Sequence, residues 1–207
     1  MIYLDNYAKI FLGDDEMDPE LMQFQKEGDE IIATNKHMLL KAPVSRFTLK
    51  HYKNDPDYID WRKVMPKDIA HAPLFSINAN DIIYEYGQLE KDMLFEDCAG
   101  DEGGCRGDAC EICGGSRFGK FKAIQADYYK NAFAINGVPF TPDILYEVAV
   151  FAKLIGFPVL AFHRLKPLSA AVIKIDSDIM VVIMPRREEN EDGSKPGIIE
   201  IIPIKEK

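Results

Sequence analysis

Residues 141–185 read TPDILYEVAVFAKLIGFPVLAFHRLKPLSAAVIKIDSDIMVVIMP and form the most regular stretch of the chain. Thr141-Pro142-Asp143 predicts the first turn of a helix, because capping, a fixed φ and the helix dipole favour these residue types there. Apolar residues then recur at helical spacing as far as Ile155. Gly156 and Pro158 predict the end of the helix, since glycine adopts the left-handed stop and proline cannot continue a helix.

Three apolar runs separated by short turns follow this helix. They predict the strands Val159–Arg164, Leu168–Ile175 and Ile179–Met184. One helix and three strands bury too little apolar surface to be stable alone. This unit therefore needs a second unit or another subunit.

The N-terminal residues repeat this order of elements. They predict a short helix and three strands, at Asn6–Leu12, Leu21–Lys26, Ile31–Thr34 and His37–Ala42. The repeat is one of pattern and not of sequence identity. The two ends of the chain thus predict an α+β fold in which two helix-plus-three-strand units share one core.

The predicted division places the first unit in residues 1–47 and the second in residues 139–207. Residues 48–138 form a linker and an insertion, with a cysteine-rich loop at residues 95–117. The other predicted elements are a helix at Asn78–Lys91, strands at Phe118–Gln125 and Ala132–Ile135, a turn at Asn136-Gly137 and an edge strand at Ile198–Ile204.

The composition is that of a folded protein, with 47% hydrophobic and 29% charged residues. No run reaches the roughly 20 apolar residues of a membrane span, and the N-terminus lacks a signal-peptide pattern. We therefore expect a cytoplasmic protein without a membrane partner. The net charge of −9 argues against bulk electrostatic coating of nucleic acid, although a local basic face remains possible.

All four cysteines of the chain lie close together. Cys98, Cys105, Cys110 and Cys113 fall in a loop rich in glycine and acids. Such a loop buries nothing apolar, and four thiolates around a tetrahedral ion would organise it. The sequence therefore predicts structural Zn²⁺ bound by these four residues. No open position for water would be left, so the zinc would not be catalytic.

Two other interpretations of the cysteines stay open. The spacing from Cys105 to Cys113 is also that of plant-type two-iron ferredoxins, which makes an iron–sulfur cluster the minority alternative. That fold takes its fourth ligand well downstream, where this chain has no cysteine. The cysteines could also be reduced free thiols or form an adventitious disulfide.

Two stretches of the N-terminal third resemble bacterial beta sliding clamps, the processivity factors of DNA polymerase. Residues 31–40, IIATNKHMLL, are similar to a clamp strand–turn–strand that reads valine-alanine-threonine-aspartate-glycine-histidine-arginine-leucine. Ala33, Thr34, His37 and Leu39 match it, whereas Asn35, Lys36 and Met38 depart from it. Residues 58–66, YIDWRKVMP, resemble the clamp segment phenylalanine-proline-aspartate-tyrosine-arginine-arginine-valine-leucine-proline. From the residues alone, we expect Trp61 to be a half-buried anchor beside the solvated Arg62 and Lys63.

A third resemblance lies near the C-terminus. Residues 179–186, IMVVIMPR, are similar to the last clamp strand, and residues 142–148 stand where clamps have their last helix. The resemblance implies a DNA-clamp-like domain built from the two units, with the cysteine-rich insertion looped out. A clamp subunit carries three domains, for which this chain is too short, so a closed ring would need more subunits than the family's dimer.

The resemblance also implies a function. It predicts a DNA sliding-clamp-like accessory protein of replication that tethers a DNA polymerase or other replication protein by topology and peptide docking. It would contact double-stranded DNA through the backbone without reading bases, and it would act as a homo-oligomer. The candidate DNA-binding residues are Lys9, Lys153, Arg164 and Lys166. The best helix offers only Lys153 against Asp143 and Glu147, which is a thin basic lining.

The sequence carries no signature of catalysis. It lacks a serine–histidine–aspartate pattern, a phosphate-binding glycine loop and a paired-histidine helix, so we expect no enzyme. The alternative function is a zinc-binding protein-interaction or regulatory module on an unrelated α+β scaffold. An iron–sulfur electron carrier is the third possibility.

Overall fold

The computed structural model describes residues 3–13, 19–48, 60–89, 91–97, 118–126, 130–187 and 193–204. The chain divides into two compact bodies, one comprising Met1–Gln88 and Tyr128–Lys207 and the other Leu89–Asp127. The four cysteines and the adjoining parts of the predicted loop lie outside the described residues. No helix among the described residues is long and apolar enough to cross a membrane.

The described elements mix helices and strands, as the sequence predicts. The strands are β1 (Gln25–Glu27), β2 (Glu30–Thr34), β3 (Met38–Pro43), β4 (Phe75–Asn78), β5 (Lys91–Asp97), β6 (Phe118–Ala126), β7 (Asn131–Ile135), β8 (Val138–Phe140), β9 (Val159–Lys166), β10 (Ser169–Lys174), β11 (Met180–Ile183) and β12 (Gly197–Glu200). The helices are α1 (Trp61–Val64), α2 (Ala79–Gln88) and α3 (Pro142–Leu154), with 3-10 helices at Ala8–Phe11, Pro19–Met22 and Val44–Arg46.

One seven-stranded sheet joins the two ends of the chain. Its strand order is β1-β2-β3-β11-β10-β9-β4. The N-terminal meander meets the C-terminal meander where β3 pairs antiparallel with β11, with Met38 opposite Ile183 and Lys41 opposite Met180. The two predicted strand triplets therefore share one sheet.

Helix α3 lies where the sequence predicts it. It starts at Pro142 and is followed by Gly156, whose φ of 88° is the left-handed stop. Thr141 occupies the cap position, but its hydroxyl makes no capping bond. The ring of Phe151 meets that of Phe11 edge-on, with centroids 5.1 Å apart. This contact packs the C-terminal unit against the N-terminal one.

The N-terminal helix is shorter than predicted. Instead of a helix at Asn6–Leu12, the structure has a single 3-10 turn at Ala8–Phe11. A segment this short gains little from its own hydrogen bonds, and its position depends on packing. Phe11 and Ala8 are fully buried and supply that packing.

A strand–helix–three-strand order occurs twice in succession in the rest of the chain. The first copy runs β4-α2-β5-β6-β7, and the second runs β8-α3-β9-β10-β11. Helix α2 begins after Asn78, whose side-chain oxygen accepts a hydrogen bond from the Asn80 backbone N–H at 2.9 Å. The helix predicted at Asn78–Lys91 thus starts at the expected place. It ends earlier than predicted, at Gln88, and Lys91 is the first residue of β5.

A three-stranded sheet, β12-β7-β8, completes the first body. The predicted turn at Asn136-Gly137 joins β7 to β8, and both residues have positive φ, 48° and 75°, as a tight hairpin requires. Strand β12 pairs parallel with β7. Beyond β12, the Ile204 N–H donates to the Ser76 carbonyl at 2.7 Å, so the C-terminal residues bridge to the edge strand of the large sheet.

The second body contains an antiparallel hairpin, β5-β6. Its register pairs Lys91 with Ala126 at one end and Asp97 with Phe118 at the other. The chain between Asp97 and Phe118 carries all four cysteines.

Candidate functional site

One face of the seven-stranded sheet carries a compact apolar cluster. Its members come from four different strands and are at most 7% exposed; they are Ile32, Leu39, Ala170, Val172 and Val182. Because side chains alternate along a strand, the adjacent residues point to the opposite face. We call the surface formed by these five residues the cluster face.

A segment without a partner strand crosses the cluster face. Trp61, Met65 and Ile69 are half-buried and pack against the cluster, and they recur at a spacing of four residues. We call residues 60–70 the crossing segment. Trp61 is half-buried against the cluster, and its neighbours Arg62 and Lys63 are exposed. The expectation of a half-buried anchor beside two solvated charges is therefore confirmed.

Polar contacts hold the first end of the crossing segment to β1 and β3. The indole N–H of Trp61 donates to the Glu27 carboxylate, which also pairs with Arg62. The ammonium group of Lys41 lies 5.1 Å from the centroid of the Trp61 ring, within the range of a cation–π contact. A carboxylate and a lysine therefore flank the aromatic anchor.

A second set of charges holds the other end. The Asp68 carboxylate accepts hydrogen bonds from the Lys166 ammonium and from Arg164 Nε, the latter at 2.7 Å. These two cations, Lys166 foremost, lower the pKa of Asp68 to about 2. The backbone also pairs here, because the Ala70 N–H donates to the His163 carbonyl at 3.0 Å.

Arg164 is a buried residue with its donors engaged inside the protein. It is 8% exposed and, besides Asp68, bonds the Ala170 carbonyl and, at 2.9 Å, the Ser169 hydroxyl. Lys166 is exposed but is paired with Asp68. Of the four residues predicted to contact DNA, these two thus hold the crossing segment.

The turn between β2 and β3 lies beside the end of β11. The Asn35 side-chain oxygen accepts the Met38 N–H at 2.9 Å and the His37 N–H at 3.1 Å, which fixes the turn. The Met184 N–H donates to the His37 carbonyl at 3.4 Å. His37 and Met184 are both exposed. The two stretches that contain them are therefore neighbours.

Arg186 belongs to the same C-terminal stretch but points into the structure. It is 5% exposed, its N–H donates to the Pro139 carbonyl at 2.9 Å, and its guanidinium donates to the Asn131 carbonyl at 2.8 Å. It ties the end of β11 to the three-stranded sheet.

A groove opens at the other end of the β3–β11 junction. Its volume is about 420 Å³, and its lining includes Glu30, Lys41, Lys174, Asp178 and Met180. Met180 also packs against the cluster face, and Glu30 pairs with Lys41 at 2.7 Å. The groove is thus continuous with the cluster face and carries charges of both signs.

Helices α2 and α3 pack against each other through aromatic and acidic side chains. The rings of Tyr86 and Tyr146 stack with centroids 4.0 Å apart, and the Tyr86 hydroxyl donates to the Asp143 carboxylate. Burial, together with the nearby Asp143 charge, raises the pKa of Glu147 to about 7. Glu147 was not singled out as a site residue from the sequence.

The helix pair carries more acids than bases. Its acids are Asp81, Glu85, Asp143 and Glu147, and its basic residue is Lys153. Lys153 is exposed near the end of α3, and Lys9 is exposed on the first 3-10 helix. Of the four predicted DNA contacts, these two are the ones that the structure places at the surface with no salt bridge to a described acidic residue.

No group of three or more histidine, cysteine, aspartate or glutamate side chains among the described residues is arranged to hold a metal ion. The predicted zinc ligands Cys98, Cys105, Cys110 and Cys113 lie outside those residues. The zinc site and its iron–sulfur alternative therefore stay predictions.

The strand–helix–three-strand order that occurs twice along the chain and the seven-stranded sheet that joins its two ends are consistent with a partial and divergent sliding-clamp fold. The chain resembles solved bacterial DNA polymerase III beta subunits. The Thermotoga maritima protein superposes with a TM-score of 0.50 at 11% identity, over 87% of this chain and 62% of that one. The Pseudomonas aeruginosa protein gives 0.50 at 11%, over 89% and 63%.

A third solved structure, the Bartonella birtlesii sliding clamp bound to griselimycin, gives a TM-score of 0.50 at 11% identity, over 86% of this chain and 62% of that one. The chain thus spans about three fifths of the length of the clamps it matches. No family model and no curated protein matches it. At 11% identity, this similarity concerns the fold alone.

Proposed function

We propose that this protein is a sliding-clamp-like accessory protein of DNA replication. It holds a DNA polymerase or another replication protein near DNA and catalyses no reaction itself. The fold supports this proposal, and we propose that the protein acts in the cytoplasm. The single observation that carries it is the meeting of three clamp-like sequence stretches along the β3–β11 junction.

The partner would dock on the cluster face. His37 from the first stretch lies beside Met184 from the third, and Trp61 from the second packs on the cluster between β2 and β10. These stretches are far apart in sequence, so their proximity is a property of the fold. A buried apolar centre with a charged border is the usual composition of a protein–protein interface.

DNA contact would rest on few residues. Lys9 and Lys153 are the exposed candidates, whereas Arg164 and Lys166 are engaged with Asp68. The acids of α2 and α3 would repel phosphate, so we propose a loose, topological hold on DNA rather than tight backbone binding. The hold would need a homo-oligomer, because one chain covers only part of a clamp.

The acidic helix pair also supports the second candidate function. A zinc-binding interaction or regulatory module that never encircles DNA needs no basic lining, and α2 and α3 have little. In both candidates, we propose that the four cysteines hold Zn²⁺ in a contact element. The hairpin register sets the two ends of this segment opposite each other, at Asp97 and Phe118.

Retention on circular DNA distinguishes the two candidates. The purified protein is mixed with a nicked circular plasmid or the same plasmid linearised, and the protein that elutes with DNA is measured at increasing salt. If the protein encircles DNA, it should elute with the circular plasmid and should no longer do so once the plasmid is linearised. Equal retention on both forms, or none on either, would refute encirclement by the protein alone and favour the interaction module.

The salt dependence of DNA binding tests the proposed phosphate contacts of Lys9 and Lys153. With two phosphate contacts per chain, the logarithm of the binding constant should fall against the logarithm of salt with a slope of about −2 per chain. Lys9→Gln and Lys153→Gln should each reduce this slope by about one. Lys174→Gln, which removes a positive charge from the groove beside the cluster face, is the matched control and should leave the slope unchanged. Light scattering on the same samples gives the oligomeric state.

A further inference from the structure

The last described strand, β12, forms one edge of the three-stranded sheet. Among the described strands it pairs with β7 alone. The Gly197 N–H donates to the Lys130 carbonyl at 2.7 Å, and the Ile201 N–H donates to the Ala134 carbonyl at 2.8 Å. The odd-numbered residues of this stretch therefore turn their backbone groups toward β7.

The even-numbered residues of the same stretch leave their backbone groups at the outer edge. Successive residues of a strand point their N–H and C=O groups in opposite directions. Those of Ile198, Glu200 and Ile202 therefore point away from β7, and no described residue pairs with them. An edge strand with unpaired backbone groups is a template for a further strand.

The side chains along this outer edge are mostly apolar and exposed. Ile198 is 53% exposed, and Ile202, just beyond the strand, is 71% exposed. Glu200 is the only charged residue of β12, and the strand contains no proline. Because charges, prolines and covering loops are the usual protection of a sheet edge, the composition of β12 favours association.

The other strand edges of the first body are covered or polar. At β8, the Arg186 N–H donates to the Pro139 carbonyl at 2.9 Å. At β4, the Ile204 N–H donates to the Ser76 carbonyl at 2.7 Å. The remaining edge, β1, consists of the three polar residues Gln25–Glu27. Among the described strands of this body, β12 thus has the open apolar edge.

We propose that β12 pairs antiparallel with the β12 strand of a second copy of this chain, about a twofold axis. Twofold pairing uses the same edge on both copies, so the assembly closes at two chains. The two three-stranded sheets then form one six-stranded sheet. Strand β12 follows the stretch that resembles the last clamp strand, so this interface has no counterpart in that resemblance.

The single charge of β12 selects the register of the pair. A register centred on Glu200 would place two carboxylates directly opposite each other, which destabilises a strand pair. A register centred on Ile199 avoids this repulsion and keeps the outward-pointing backbone groups facing each other. It sets Ile198 opposite Glu200 of the second copy, and Ile202 opposite Pro196. Both exposed isoleucines are then covered, and this self-complementarity assigns the edge to a second copy.

Sedimentation velocity of the full-length protein over a concentration series tests the inference. The wild type should have the mass of two chains at high concentration and should dissociate on dilution. Glu200→Pro removes an outward N–H without removing a bond to β7, so it should weaken the dimer at least about tenfold. Glu200→Ala removes the same side chain but keeps the N–H, and it should remain a dimer.

A second pair of variants tests the register and guards against effects on folding. Ile198→Lys and Ile198→Glu remove the same apolar side chain, but the lysine faces an opposite charge, from Glu200 of the second copy, and the glutamate a like one. The glutamate variant should bind its second copy at least about tenfold more weakly than the lysine variant, because two symmetry-related pairs change sign. Leu168→Glu, at a 70% exposed position between β9 and β10, is the control and should leave the dimer unchanged. Circular dichroism shows that each variant is folded.

A wild type that stays a single chain at every concentration would overturn the inference. A dimer that Glu200→Pro and Ile198→Glu leave intact would also overturn it, because its interface would lie elsewhere. The inference rests on the proposed function only in its need for a homo-oligomer, and it adds the interface. The masses are measured without DNA, so a failure of the retention experiment leaves the β12 result standing. A dimer with its interface elsewhere leaves the proposed function standing.

Discussion

The stability of this protein should fall as the pH rises through the range in which Glu147 titrates. Burial, with a smaller effect of Asp143, raises the pKa of Glu147 from 4.5 to about 7. Between these two values the folded chain holds a proton that the unfolded chain has released. The free energy of unfolding therefore decreases with increasing pH in this window.

The size of the effect follows from the difference between the two pKa values. One pKa unit corresponds to about 1.4 kcal/mol, which sets an upper limit of about 3 kcal/mol above pH 7. Glu147 is partly exposed, and solvent screening reduces this to about 1–2 kcal/mol. Glu147→Gln removes the titration while keeping the shape of the neutral acid, so the variant should be more stable than the wild type at pH 8.

The assay is urea unfolding followed by circular dichroism at pH 5.5 and at pH 8. The advantage of Glu147→Gln over the wild type should be larger by about 1 kcal/mol at pH 8, because the wild type loses stability between the two pH values. Glu200→Gln removes the same charge from an exposed position on β12 and serves as the control. An equal advantage at both pH values would refute the argument that Glu147 is neutral in the folded protein at low pH.

Three other substitutions test separate parts of the structure. Phe151→Ala should lower the free energy of unfolding by about 3–5 kcal/mol in urea, whereas Leu154→Ala on the exposed side of α3 should change it by less than about 0.5 kcal/mol; similar losses would contradict the packing described. Arg164→Met should lower stability by about 2–3 kcal/mol, because buried charged hydrogen bonds are lost; unchanged stability with weaker DNA retention would instead support the predicted DNA contact. Cys110→Ser should reduce the zinc measured per chain by atomic emission without unfolding the first body; a wild type free of metal would contradict the zinc prediction.

The parts of the fold that depend on local signals could be predicted from the sequence. Helix α3 has its start residues, its apolar spacing and its glycine stop within one short stretch, and the turn at Asn136-Gly137 needs only two residues. The strands of both meanders follow the sequence to within about two residues, except the first. That strand is predicted at Leu21–Lys26, but β1 covers only Gln25–Glu27 and Pro19–Met22 form a 3-10 helix. In each case, the residues that specify the element are contained in it.

The first of the two strand–helix–three-strand copies, β4-α2-β5-β6-β7, is not evident from the sequence, because its parts are separated along the chain. Strands β5 and β6 pair across an intervening stretch that begins at Cys98, so the chain does not show a hairpin with a short turn. The sequence does not predict the strand at Lys91–Asp97, since it assigns Lys91 to the preceding helix and residues 95–97 to the cysteine-rich loop. The order β4-α2-β5-β6-β7 becomes evident only when the pairing is known.

The roles of the charged residues also depended on distant partners. Arg164 and Lys166 are basic residues at a strand end, and nothing nearby in sequence indicates that both bind Asp68. Glu147 is a different case. It follows Asp143 by four residues on a helix, which places two like charges on one side and could have indicated a raised pKa.

The distribution of charge and apolar surface favours the cluster face over the helix pair as the main site of interaction. Glu147 loses its proton at about pH 7, so the negative charge between α2 and α3 grows as the pH rises through neutrality. Phosphate contact would then have to come from residues outside that pair, such as Lys9. On the cluster face, by contrast, apolar side chains contact the crossing segment, and Glu27, Arg164 and Lys166 form hydrogen bonds with it. The proposed tether would need this combination, a loose hold on DNA and a firm hold on its protein partner, because it would have to slide on one while it retains the other.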